Sequence, residues 1–448
     1  MQELQSMDNP ENLIEAAKAV LQTNDQGSYT VPAPGLYAHQ WLWDSCFIAI
    51  GLRHIDIDRA KTEILSLLRG QWHNGMLPNM VLSDKKEFKR DREIWRSWAN
   101  PYSPDDVATS GITQPPMLAE AIVKIGERLK KNERRSWYKQ TYPALLAYHQ
   151  WLYAERDPHG EGLTLQIHPW ETGLDNTPPW THELHEHQLA DWIRIAKKLN
   201  LSWLINMFRR DTKRIPGADR LDAIDALAFY SVQRRLRRKN YDIDKILSHS
   251  LFVIEDLTFN CILIRANQHL RDIAAFMNFE LPAELSASMG RAEAALEQLW
   301  DAYSGQYYSR NFVTHHLFKE PTIATLMPLY AGIVTKERAG QLVKLLENPH
   351  LFGSTYPVPS VPLNSTWFKP HAYWQGPTWV NTNWLIIDGL KRLGYPDHAA
   401  ALTESTIDMV KNSGCYEYFS PVDGSPAGAH DFSWTAALVI DLLKTQKD

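Results

Sequence analysis

Apolar side chains recur at helical spacing along almost the whole chain. Leu13, Ile14, Ala17, Val20 and Leu21 fall on one face of a first helix. The same period predicts helices over Asp44–His54, Ile57–Trp72, Ile112–Ile125, Trp137–Glu155 and Leu184–Lys198. It continues through Arg220–Arg237, Ile243–Ile254, Asn260–Phe276, Ala283–Trp300, Lys336–Leu346, Thr382–Leu393, His398–Asn412 and His430–Lys444. Extended patterns are few and short: Thr164–Ile167, Gln306–Phe312 and Cys415–Phe419. There is no βαβ alternation, no GxGxxG turn and no P-loop. No Ser/Gly linker or low-complexity run divides the chain, so residues 1–448 read as a single domain. The predicted fold is all-α, two concentric layers of helices forming a barrel. A plain bundle would use connections of roughly 2–8 residues, whereas the loops around 73–111, 156–183 and 349–381 are far longer; loops of that length are usually functional.

Composition narrows the picture. Hydrophobic content of 44% supports a sizeable core, and a net charge of −5 with mixed signs lacks the basic face of a nucleic-acid binder. The three cysteines, Cys46, Cys261 and Cys415, are widely spaced and form no CxxC pair, which suits a reducing cytoplasm. The first residues, MQELQSMDNPENL, lack the basic and apolar runs of a secretory signal. No apolar stretch reaches the ~18 residues of a membrane span. The outlying figure is 17 tryptophans, many in pairs beside polar groups: Trp41 and Trp43, Trp95 and Trp98, Trp170 and Trp180, Trp374 and Trp379. Core packing is the default for any one indole. Clusters of them offer apolar platforms with a polar edge, which match the C–H faces of sugars.

Four stretches carry chemistry. The first is His168–Trp180, HPWETGLDNTPPW, too rich in Pro, Gly and Asn for a helix interior. It presents Glu171 and Asp175 on a loop; a turn role for Asp175 weighs about evenly against catalysis. The second is Cys415–Trp434, where Glu417 sits between two tyrosines; the bland alternative is a surface acid, and Asp423 and Asp431 read as turn and cap residues. The third is Tyr37–Asp44, YAHQWLWD, in which Asp44 is either an N-cap or an acceptor for two sugar hydroxyls. The fourth is Tyr373–Trp384, YWQGPTWVNTNW. Two carboxylates far apart in sequence, on loops rich in Trp, Tyr, Asn and Gln, suit acid/base glycoside hydrolysis, which needs no metal or cofactor. The histidines of THELHEHQ, His182, His185 and His187, lack the HExxH spacing of a zinc protease. The charge run Lys85–Arg96 reads as solvated surface, with a lid within 73–111 as the alternative.

Together, WLWDSCFIAIGL, GMLPN, ATSGITQPPMLAEA, WETGLDNTPPW, YWQGPTWVNTNWL and YEYFSPVDGSPAGAHDFSWTAAL resemble glycoside hydrolase family 63. Within it they are most similar to the bacterial mannosylglycerate and glucosylglycerate hydrolases. The ordered match runs from about Tyr37 to Leu442. The resemblance implies an (α/α)6 barrel and inverting hydrolysis of a small α-glucoside or α-mannoside without cofactor. It implies Asp175 as general acid and Glu417 as general base. It places Tyr37, Trp41, Trp43, Asp44, Gln114, Trp170, Gly173, Tyr373, Trp374, Gln375 and Trp379 around the sugar. This chain has Asn79 where such relatives tend to carry a histidine. A glycerate carboxylate calls for a cation; the candidates are Arg209, Arg210 and Arg214, with Arg92 and Arg96 as alternatives. An α-glucosidase for neutral glucosides, or a non-catalytic sugar-binding protein on the same barrel, are the competing expectations.

Overall fold

The computed structural model describes residues 9–187, 191–199, 220–250 and 252–446. Within them, twelve helices alternate along the chain between an outer and an inner layer. The outer helices are α1 (Pro10–Asn24), α3 (Ile57–Leu68), α5 (Lys131–Arg156), α7 (Ala283–Ala295), α9 (Lys336–Glu347) and α11 (Pro396–Ser413). The inner helices are α2 (Leu42–Leu52), α4 (Leu118–Glu127), α6 (Leu257–Met277), α8 (Pro328–Ala331), α10 (Val380–Arg392) and α12 (Ser433–Thr445). Each inner helix packs on the next, and α12 packs back on α2, so the ring closes.

Burial follows from this arrangement. A helix covered on all sides carries no polar face. Every residue of α2 is buried, as is α12 from Ser433 to Leu443. Outer helices keep one stripe: α3 buries only Ala60, Glu63, Ile64 and Leu67. Each fully buried Leu, Ile or Val of the ring stabilises it by about 1.5–3 kcal/mol. The tightest crossing is between α2 and α12, where a Cβ on Gly51 would lie 2.3 Å from the Ala437 carbonyl oxygen. Gly51→Ala would therefore push the ring apart at that point.

The ring also points its helix N-termini at one end. Trp41, Trp379 and Phe432 are the N-cap residues of α2, α10 and α12. Short antiparallel pairs dress the same end: Trp41 faces Met80 across one, and Tyr418 faces Ala427 across another.

The periodic segments are found where expected, with informative exceptions. The helix expected from Ile112 starts at Leu118, because Pro115 and Pro116 hold the preceding stretch extended. The Ile243–Ile254 pattern is a helix only to Leu247 and ends in a strand, Ile254–Glu255. The Leu184–Lys198 pattern divides between helices Pro178–His187 and Asp191–Lys198. Two helices carried no periodic signal: α8, a single turn, and Lys89–Trp95, within the charge run.

Candidate active site

A cleft of about 980 Å³ opens at the end where the inner helices begin. That is large for a small-molecule site, for which roughly 300–1,000 Å³ is usual. Asp44, Asp175, Glu417, Tyr37, Trp41, Trp43, Gln114, Trp170, Gly173, Tyr373 and Trp374 all line it. Segments as far apart in sequence as Tyr37 and Glu417 thus converge on one space.

The loop around Asp175 is built by its own side chains. His168 accepts from the Trp170 N–H and caps a 3-10 turn over Pro169–Glu171. Glu171 turns inward, takes an ion pair from Arg156 at 2.8 Å, and accepts from the N–H groups of Thr113 and Ile167. It is fully buried and clamps the loop from within. Gly173 leaves room for the Trp43 indole, which a Cβ would approach to 2.7 Å. Asp175 follows, half-buried at the cleft wall. Burial raises its carboxyl from 3.8 to about 7, and the Glu417 charge adds to this. A donation from Tyr373 Oη to Oδ2 (3.1 Å) and the Arg220 charge work in the other direction without cancelling the effect.

Glu417 is 1% exposed and ringed by donors. Tyr37 Oη donates to Oε1 at 2.7 Å, the Ala429 N–H to Oε2 at 2.9 Å, and Arg220 Nη1 reaches both oxygens at 3.2 and 3.3 Å. Gly428 allows this, since a Cβ there would lie 2.6 Å from Oε2. The Arg220 guanidinium lies over the Tyr373 ring (4.5 Å) and near the Tyr37 ring (5.7 Å). Tyr373 therefore touches Asp175 through its hydroxyl and the partner of Glu417 through its face.

Asp44 is not an N-cap. Trp41 holds that position, and Asp44 sits in the first turn of α2, 5% exposed. Burial raises its carboxyl well above the usual range, and the charges of Glu417, Asp175 and Glu63 add to this. Asp431 is not a cap either: Phe432 holds that place before α12. Asp423 does close a turn, accepting from the Ser425 N–H.

Two expected lining residues stand behind the wall. Trp379 lies flat on Trp374, ring centroids 3.8 Å apart and planes 4° apart. Gln375 donates its amide to the Asn176 carbonyl. Trp379 backs the Trp374 ring and Gln375 ties the Asn176 backbone, and neither lines the cleft. Arg209, Arg210 and Arg214 lie outside the described residues. The helix Pro178–His187 carries His182, His185 and His187, whose side chains also lie outside them. Among the described residues, no group of three His, Cys, Asp or Glu side chains is arranged to hold a metal ion. Arg220, Trp434 and Phe432 line the cleft without having been singled out in the sequence. Their only signal is position: Arg220 lies just before the N-cap Asp222, and the other two open the last inner helix.

The segment 83–96 covers one side of the mouth. Phe88, Arg90, Asp91 and Ile94 face the cleft from a 3-10 turn and the helix Lys89–Trp95. Gln233 Nε2 donates to the Ile94 carbonyl and Arg237 Nη1 to those of Glu93 and Ile94. The last turn of this short helix thus has its open carbonyls satisfied by the helix Ala223–Arg238.

An (α/α)6 ring whose helix N-termini close on carboxylates and indoles defines a class of sugar-cleaving enzymes. Residues 37–435 match the family model described as the mannosylglycerate hydrolase MGH1-like glycoside hydrolase domain. The chain belongs to that family, within glycoside hydrolase family 63, and is a glycoside hydrolase. It is 37% identical to the mannosylglycerate hydrolase of Thermus thermophilus over 95% of this chain and 99% of that one. It is 29% identical to the glucosylglycerate hydrolase of Mycolicibacterium hassiacum, over 97% and 98%. The crystal structure of a Thermus thermophilus family 63 mannosylglycerate hydrolase, in complex with Tris and D-glycerate, superposes with a TM-score of 0.86 at 35% identity. That match covers 96% of this chain and 99% of the other. Family 63 enzymes invert the anomeric centre.

Proposed function

We propose that this enzyme hydrolyses α-mannosylglycerate or α-glucosylglycerate, with Asp175 as general acid and Glu417 as general base. The observation that carries the assignment is the contrast between the two carboxyls. Asp175, raised to about 7, still holds its proton in part at neutral pH, where an ordinary aspartate is fully ionised. Glu417 is surrounded by an arginine, a phenol and a backbone N–H, a setting for an ion. Pairs of carboxyls in opposed environments divide acid and base roles.

In the reaction, Asp175 gives its proton to the glycosidic oxygen as the bond to the anomeric carbon breaks. Glu417 takes a proton from a water whose oxygen forms the new bond on the opposite face. Arg220 and Tyr37 hold Glu417 in place, acting through it as positioning residues. Trp43 and Trp374 offer apolar faces for the sugar, and Asp44 meets its hydroxyls. The substrate class is supported by relatives of both kinds that span nearly the whole chain. No helix among the described residues is long and apolar enough to cross a membrane. The three cysteines are buried and unpaired, which supports a cytoplasmic setting. The test is a panel of α-mannosylglycerate, α-glucosylglycerate and neutral α-glucosides with purified enzyme. Turnover confined to the neutral glucosides would overturn the substrate reading; no turnover of any glycoside would overturn the catalytic one.

A further inference from the structure

We infer that Asn176 is a positioning residue for the general acid: it holds the Tyr373 hydroxyl against Asp175 Oδ2, so that the transferable proton sits on Oδ1. The inference rests on the acid role of Asp175 proposed above. Asn176, the next residue in the chain, is buried and does not line the cleft, so it acts through its neighbours.

The geometry is a two-way clasp between segments 198 residues apart. Asn176 Oδ1 accepts from the Trp374 N–H at 2.9 Å, and the Asn176 carbonyl accepts from Gln375 Nε2 at 3.0 Å. The residues just before the clasp on each side, Asp175 and Tyr373, meet at 3.1 Å between Oδ2 and Oη. Tyr373 has a φ of 44°, in the left-handed region that a non-glycine residue enters at a cost and keeps only where its surroundings hold it. Those surroundings grip one peptide group from both ends. Trp379 Nε1 donates to the Tyr373 carbonyl at 3.2 Å, and Asn176 takes the Trp374 N–H of the same peptide. Turning that peptide would swing the phenol away from Asp175.

A neutral carboxyl carries its proton on one oxygen and accepts on the other. Donation from Tyr373 to Oδ2 therefore leaves Oδ1 to bear the proton that passes to the glycosidic oxygen. Without the clasp the two oxygens become alternatives, and only part of the protonated acid is set for transfer. Among the described residues, Tyr373, Arg220 and Glu417 act on the Asp175 carboxyl, and Asp44 shares its field. The Tyr373 bond works against the burial that raises Asp175, so losing it moves the carboxyl further up.

The experiment compares two leaving groups on one sugar: the α-glycoside turned over best in the panel above, and the corresponding α-glycosyl fluoride. An alkoxide needs a proton to leave, whereas fluoride leaves with little help from an acid. The readout is the ratio of kcat for the fluoride over the glycoside. Asp175→Asn is expected to raise it about a hundredfold or more, the worth of a positioned acid. Asn176→Ala is expected to raise it about tenfold, a part of that contribution, with KM little changed and the alkaline midpoint of kcat/KM moved to higher pH. Asn176→Ser, with a shorter acceptor, should fall between wild type and Asn176→Ala, and it carries the same readouts if the alanine variant does not fold. In a Tyr373→Phe background, Asn176→Ala should change the ratio little, because no hydroxyl remains to be held. A structural role would slow both substrates together, so an unchanged ratio in the Asn176 variants, at whatever Tm, overturns the inference. An unchanged ratio in Asp175→Asn overturns the acid assignment itself.

Discussion

Replacing Asp175 by Asn should destroy activity and yet stabilise the protein in a pH-dependent way. The folded state keeps the Asp175 carboxyl protonated to about pH 7, whereas the ordinary value is 3.8. Below about pH 4 both folded and unfolded chains hold the proton, and the residue carries no penalty. Between about pH 4 and 7 the unfolded chain ionises first, so stability falls as pH rises. At about 1.4 kcal/mol per pH unit over roughly three units, the penalty above pH 7 is on the order of 4 kcal/mol. Water in the cleft screens a half-buried group, so about half of that is the expected size. Asn has no proton to lose and escapes the whole effect. It can still accept from Tyr373. The assay is thermal unfolding of wild type and Asp175→Asn from pH 4 to 9, because subtracting the curves cancels the titrating groups that do not feel Asp175; Asp44, which does, shifts in the same direction when that charge is removed. The Asn variant should match wild type near pH 4 and gain up to pH 7–8, ending a few degrees higher in Tm. Two parallel curves, or an Asn variant less stable at pH 8, would refute the reasoning.

Other expectations follow from the same geometry. The kcat/KM profile of wild type should fall on the alkaline side with a midpoint near 7, as Asp175 loses its proton; a flat profile to pH 9 would contradict the acid assignment. Glu417→Gln should lower kcat by several orders of magnitude while leaving the fold intact by circular dichroism. Asp44→Asn keeps the shape but offers one acceptor oxygen instead of two, so kcat/KM should fall about ten- to a hundredfold, equivalent to roughly 1.5–3 kcal/mol. Its Tm should hold or rise, since one of three crowded carboxyls is gone; a destabilised variant with normal kinetics would refute the sugar-binding role. Glu171→Gln should do the opposite, costing about 3–5 kcal/mol of stability by leaving Arg156 buried without its charge partner. Activity should survive treatment with a chelator; loss that is reversed by a divalent ion would contradict an acid/base mechanism without metal.

Much of the fold was legible because an inner helix of an (α/α)6 ring is apolar over many residues and an outer one is striped. Helical period needs two or more turns to register, so α8, with four residues, left no trace although it completes the ring. The helix Lys89–Trp95 was hidden for a different reason. Its charges look like a solvated surface, and only the tertiary contacts from Gln233 and Arg237 give it a place over the cleft. Of the site, the residues that stand on aromatic-rich loops were visible as clusters. Residue types and spacing alone left Glu171 and Asp175 about even, and only the family resemblance favoured Asp175; that Glu171 is held by Arg156, at the end of α5, is a tertiary contact that spacing does not show. Arg220 was missed because an arginine ahead of a helix is ordinary in sequence. Its significance comes from Glu417, 197 residues away. Trp379 and Gln375 belong to the right cluster but stand one layer too deep, a distinction that spacing cannot make.

The most direct test of the account is proton NMR of the sugar released in the first minutes of turnover, before the anomers equilibrate. With α-mannosylglycerate or α-glucosylglycerate and wild-type enzyme, the β-anomer should appear first, and it should be absent with Asp175→Asn or Glu417→Gln. First appearance of the α-anomer, or rapid release by either variant, would contradict a single inverting displacement carried by these two carboxyls.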